Sequence, residues 1–173
     1  ATGDDDFMAR YGAEILVETA RFWQSRIYYD PIRKTHNILA VRGPNEYDVI
    51  VNNNCYTNMM ARENIRYALE AMVLMKKRYP AAWRRLSVRL KLDAREPAAW
   101  RRSARGLLIC RDRKGGLYLE DDMYLHRAPF DMKRGKTDGR RVIDGNLPYE
   151  AMAHYQITKQ SDVITMMNLL PWM

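Results

Sequence analysis

The sequence predicts an all-α fold, and three features of it carry that prediction. Apolar residues recur at helical spacing through several long stretches. Prolines and an asparagine stand where those stretches begin. Strand-like runs between them are few and short. The chain has 173 residues, 47% of them apolar, which suffices for one ordinary domain with its own core.

Taken in order, Asp4 to Asp6 can cap a helix from about Phe7 to Tyr28. Ile15, Leu16, Ala20, Trp23 and Ile27 would form its apolar stripe. Pro31 to Gly43 reads as a connection with a short strand at Ile38 to Val41. Asn54 is an N-cap for a long helix from Cys55 to about Arg78. Its Met59, Met60, Ala68, Met72 and Met75 should face a core, because thioethers fill irregular gaps well. Pro80 ends that helix. "PAAWRR" then occurs twice, at Pro80 to Arg85 and at Pro97 to Arg102. Each copy reads as a helix start with proline in the first turn and tryptophan turned inward. Two copies are too few for a stacked repeat. Gly115-Gly116 marks a turn, with "LYLED" as a short extended piece after it. Met123 to Asn146 reads as a long loop, and a last helix with a break is expected from Pro148 to Leu170.

The formal charge is +8, but the arginines are mixed with acids along helical stretches, as on solvated faces. No groove-reading motif accompanies them, so no nucleic-acid partner is expected. Cys55 and Cys110 form no CxxC pair, and His36, His126 and His154 share no ligand spacing, so no metal is expected. No apolar run is long enough to span a membrane, so a soluble, cytoplasmic protein is the expectation. The start at Ala1 and the apolar end at Met173 read as those of a fragment.

One stretch carries chemistry. "GPNEYDVIVNNNCYTN", Gly43 to Asn58, sets Glu46 among neutral hydrogen-bonding side chains. A carboxylic acid that donates a proton near neutral pH needs a raised pKa, and partial burial among neutral groups supplies that. Asn and Tyr also suit sugar hydroxyls, since they donate, accept and stack without charge. Glu46 therefore reads as a general acid in a carbohydrate pocket. The competing reading is an exposed loop glutamate beside an Asn-rich helix cap.

Three blocks, "GAEILVETARFWQSR", "ILAVRGPNEYDVIVNNNCYTNMMARENIRYALE" and "YQITKQSDVITMM", together resemble glycoside hydrolase family 65. They run in family order from Gly12 to Met167. The resemblance implies a partial (α/α)6 barrel: residues 1–173 as part of one catalytic domain, without its flanking N- and C-terminal parts. It places Glu46 on the family's general acid. It places Lys159 and Gln160 on a pair that grips the glucosyl unit. Trp23, Tyr47, Asn53, Asn54, Tyr56 and Asn58 are further candidates to line the site or support its loop. The implied partners are a disaccharide and inorganic phosphate, the latter as co-substrate with no cofactor, and a homodimer of the full-length enzyme. Family members often carry Asp where this chain has Asn45 and His where it has Asp48. Asp48, if buried near Glu46, would raise the acid's pKa further. The segment that separates phosphorolysis from hydrolysis, a Ser-rich phosphate loop or a carboxylate base, lies beyond "KQSDV".

The resemblance thus implies inverting phosphorolysis of a maltose-, trehalose- or kojibiose-type disaccharide. A trehalase-like hydrolase on the same fold is the alternative, and a non-enzymatic basic binding module is the third class. Salt-dependent affinity for nucleic acid would mark the third.

Overall fold

The computed structural model describes residues 3–48, 50–112, 114–131, 136–137, 140–141 and 147–171. It is mostly helical. Helix α1 (Asp5–Phe7) leads through a π-helical stretch (Met8–Gly12) into α2 (Ala13–Arg26). Strands β1 (Ile27–Asp30) and β2 (Thr35–Ile38) pair with each other. Then come α3 (Cys55–Arg78), α4 (Pro80–Arg89) and α5 (Glu96–Gly106). Strands β3 (Arg111–Asp112) and β4 (Leu117–Tyr118) form a tight antiparallel pair. A 3-10 turn (Tyr124–His126) precedes β5 (Ala128–Pro129). Strands β6 (Lys136–Thr137) and β7 (Arg140–Arg141), helix α6 (Tyr149–Met152), strand β8 (Tyr155–Gln156) and helix α7 (Asp162–Leu169) complete the order. Strand β5 pairs in parallel with β8. No helix among the described residues is long and apolar enough to cross a membrane.

The chain divides into two compact units, residues 1–37 with 60–108, and residues 38–59 with 109–173. In the first, the small face of α2 (Ala13, Val17, Ala20) packs on Ile65, Ala68, Met72 and Met75 of α3. Trp83 of α4 and Trp100 of α5 complete that core, so both "PAAWRR" copies turn their tryptophan inward. Prolines open these two helices as expected, Pro80 at the first position of α4 and Pro97 at the second of α5. Arg21 grips Glu96 with two parallel hydrogen bonds of 2.7 and 2.8 Å, fixing α2 against α5.

Some boundaries differ from expectation for local reasons. Helix α2 ends at Arg26 and not Tyr28, because Ile27, Tyr28 and Tyr29 are β-branched or aromatic and enter β1. Asp30 then accepts from the backbone N–H of Ile32 and Arg33, closing a turn toward β2. Strand β2 lies three residues earlier than the expected Ile38–Val41, since Ala40 adopts φ 53° and breaks the run. Ile15 was expected in the apolar stripe but is 54% exposed. The last helix is indeed broken, into α6 and α7, with β8 between. Part of the long loop expected at Met123–Asn146 lies outside the described residues.

In the second unit, Cys55 and Met59 at the start of α3 are buried, as are Cys110 and Met166. Tyr47, Met152 and Ile157 form a separate small cluster against Phe130, Leu147 and Tyr155.

Candidate active site

The loop that carries Glu46 is closed at its base by Val41 and Val51, which exchange both backbone hydrogen bonds at 2.8 and 2.9 Å. Glu46 stands on this loop with its side chain about half exposed. Lys159 and Gln160 immediately precede Ser161, the N-cap of α7. The three side chains meet. Lys159 Nζ donates to Glu46 Oε2 at 2.7 Å, and Gln160 Nε2 donates to Oε1 at 3.1 Å. Gln160 Nε2 also donates to the Pro44 carbonyl.

These contacts reverse one expectation. Glu46 does not have a raised pKa. Its carboxyl is held below the ordinary glutamate value, first by the hydrogen bond from Lys159 and then by that from Gln160. Partial burial among neutral groups was the wrong mechanism, because a cation 113 residues away in sequence meets the carboxylate directly. Asp48 does not raise it either. Asp48 is buried and turned away, accepting from Asn45 Nδ2 at 2.9 Å and lying 3.6 Å from the Arg127 guanidinium.

The asparagines of the Gly43–Asn58 stretch are mostly structural. Asn53 takes a left-handed φ of 53°, which asparagine tolerates well. Its Oδ1 accepts from the Ile38 N–H at 3.2 Å and from Asn58 Nδ2 at 3.1 Å, while its Nδ2 donates to Asp122 at 2.9 Å. Asn54 caps α3 as expected, accepting from the Thr57 N–H at 2.9 Å. Its Nδ2 donates to Asp162 and faces the Glu120 carbonyl. Asn53, Asn54 and Asn58 are fully buried, and these bonds hold the loop. Tyr47 is likewise buried, as part of the small apolar cluster. Tyr56 is half-buried in the first turn of α3. Trp23 belongs to the other compact unit, where it packs on the core and stacks edge-on with Phe22 at 5.1 Å.

A layer of buried carboxylates, missed in the sequence, underlies the loop. Asp162 accepts from the Asn45 N–H at 2.6 Å as well as from Asn54. Glu120 accepts from Ser161 Oγ at 2.5 Å and from the Asp162 N–H at 2.8 Å. Asp121 accepts from Arg127 at 2.8 Å. Burial pushes the carboxyls of Asp48, Glu120, Asp121 and Asp162 all upward. Arg127 offsets this at Asp48 and Asp121, as do the Asn54 amide at Asp162 and the Ser161 hydroxyl at Glu120. In a one-dimensional reading these residues look like a charged turn and a solvated helix start, so no local signal marks them.

Gly43 shows how tightly the loop is seated. A Cβ there would lie 2.5 and 2.7 Å from the amide atoms of Asn54 and collide with the Asp162 carboxylate. Gly43→Ala is therefore expected to destabilise the second unit by about 1–3 kcal/mol, as overpacking of a rigid site does. Thermal melts of the full-length protein check this; an unchanged melting temperature would show that the loop gives way freely.

Residues 1–172 match the family model described as the glycosyl hydrolase family 65 central catalytic domain. The chain is 35% identical over 170 residues to an alpha,alpha-trehalose phosphorylase of Thermoanaerobacter brockii, covering 98% of this chain and 22% of that protein. It is 32% identical over 171 residues to a kojibiose phosphorylase of Caldanaerobacter subterraneus, covering 99% of this chain and 22% of that one. A solved structure from the human microbiome, assigned as a kojibiose phosphorylase, superposes with a TM-score of 0.85 at 26% identity. That likeness covers 99% of this chain and 23% of the solved one. The chain thus spans about a fifth of the length of the relatives it matches.

Proposed function

The chain belongs to glycosyl hydrolase family 65, and from that premise we propose that it supplies the proton donor and glucosyl grip of an inverting disaccharide phosphorylase. Glu46 is the general acid; Lys159 and Gln160 hold the glucosyl unit. The observation that carries this reading is the convergence of Lys159 and Gln160 on the two oxygens of Glu46. It sets a cation and an amide, both able to serve adjacent hydroxyls, within reach of one acid.

In the proposed reaction Glu46 protonates the glycosidic oxygen, and the bond from that oxygen to the anomeric carbon breaks. A phosphate oxygen attacks that carbon from the opposite face. The products are β-glucose 1-phosphate and a free sugar, and Glu46 is left ionised. Phosphate is itself a competent nucleophile, so this scheme uses one carboxyl where ordinary inverting glycosidases use two. The relatives named above are trehalose and kojibiose phosphorylases, which supports phosphate over water as acceptor. The test is to incubate the full-length enzyme with maltose, trehalose or kojibiose, with and without phosphate. Phosphate-dependent β-glucose 1-phosphate is the expected product. Glucose released equally without phosphate would indicate a hydrolase.

A glucosyl unit gripped by Lys159 and Gln160 competes with Glu46 for the same donors. Without them the carboxyl loses what depresses its pKa, so that pKa rises in the substrate complex. The acid must be protonated to act, so activity falls as pH rises through its pKa. kcat/KM reports the free enzyme and kcat the complex. The alkaline limb of kcat is therefore expected at higher pH than that of kcat/KM. Coincident limbs would show that the glucosyl unit leaves the Lys159–Glu46 contact intact.

A further inference from the structure

Asn45 precedes the acid by one residue and is fully buried. Its Oδ1 accepts from two backbone N–H groups, that of Tyr47 at 3.2 Å and that of Lys159 at 3.0 Å. Its Nδ2 donates to Asp48 Oδ2 at 2.9 Å. Its own N–H donates to Asp162 Oδ1 at 2.6 Å, and its carbonyl accepts from the Asp48 N–H at 3.3 Å. The amide cannot be turned over. Two backbone donors require the oxygen on one side, and a carboxylate requires the NH2 on the other. One small side chain thus joins the residue after Glu46 to the residue that grips its carboxylate, across 114 positions of sequence.

We propose that Asn45 is the positioning residue of this site. Its amide holds the acid's loop in register with Lys159 and Gln160, so that proton donor and glucosyl grip keep one geometry. Asp48 is the anchor that orients the amide. This rests on the roles of Glu46, Lys159 and Gln160 proposed above. A merely structural asparagine would lower stability when altered and leave the turnover of folded enzyme unchanged. A positioning residue acts on kcat, since displacing a reacting group by about 1 Å can cost about a hundredfold.

The experiment exploits the polarity of the contact in the full-length enzyme. Asn45→Asp keeps the shape and the acceptor oxygen but sets a second carboxylate against Asp48. Asn45→Asp combined with Asp48→Asn reverses the pair: the introduced amide donates to the introduced carboxylate, and net charge is unchanged. With kcat normalised to folded protein, the single variant is expected to lose about 10- to 100-fold with KM for the glucoside within about threefold. The combined variant is expected to regain most of that loss. Wild-type kcat in the single variant, or no recovery in the combined one, would overturn the proposal. If the single variant does not fold, the combined variant decides alone: near-normal kcat supports the proposal and a lost kcat overturns it. Glu46→Gln assayed beside them separates the two claims. Its retention of wild-type turnover removes the acid assignment itself. Its loss, with Asn45→Asp unaffected, removes only the positioning role.

Discussion

Glu46→Gln in the full-length enzyme is expected to lower turnover of an unactivated disaccharide by about 100- to 10,000-fold, the range that general acid catalysis supplies. Glutamine keeps the shape of glutamate and still offers one oxygen to Lys159 Nζ, which now reaches the carboxylate at 2.7 Å, while its NH2 replaces the oxygen that accepts from Gln160 Nε2 at 3.1 Å. What it lacks is a transferable proton. Glucosyl binding should therefore survive, and KM should move far less than kcat. The residual turnover should lack the alkaline limb that Glu46 imposes, so the loss relative to wild type should shrink as pH rises through the acid's pKa. A steady-state comparison over a range of pH values is sufficient. Turnover near wild type would end the assignment.

Alanine at Lys159 or Gln160 is expected to weaken ground-state and transition-state binding together, by about 5- to 150-fold for each lost charged or amide contact. The loss should follow the glucosyl half and be the same whichever acceptor sugar is offered. The two variants should differ in one respect. Lys159 is the leading cause of Glu46's lowered pKa, so Lys159→Ala should also carry the free-enzyme pKa upward more than Gln160→Ala does. Inhibition by glucose, measured against inhibition by the free acceptor sugar, checks the first point. Lowered stability with unchanged kinetics would assign both residues to the scaffold.

The helical skeleton was largely legible because its signals are local. Asn54 before Cys55, Pro80, Pro97, and the methionine and alanine spacing of α3 each act within a turn or two of chain. Boundaries slipped where two local preferences competed, as at Ile27–Tyr29, where β-branched and aromatic residues leave the helix early. The candidate site was legible only in part. Glu46 stood out by its surroundings, but Lys159 and Gln160 became visible through family resemblance, since no periodicity links positions 113 residues apart. The asparagine run was open to two readings, as sugar contacts and as support for its loop. Its polar density suggested sugar contacts, yet Asn53, Asn54 and Asn58 spend their amides on a left-handed turn, a helix cap and each other. Asp162 and Glu120 were invisible because a buried, fully bonded carboxylate and a solvated one are the same letter.

The central claim is that Glu46 acts by giving a proton to the leaving oxygen. Leaving groups differ in how much they need that proton, so the most direct measurement compares two substrates. The ratio of wild-type to Glu46→Gln kcat/KM is measured for an unactivated disaccharide and for α-glucosyl fluoride, both with phosphate. The account predicts a ratio of about 100 to 10,000 for the disaccharide and one within about tenfold of unity for the fluoride, whose departure depends little on general acid help. An equally large loss on both substrates would contradict it, and would make Glu46 a residue that shapes the site without donating the proton.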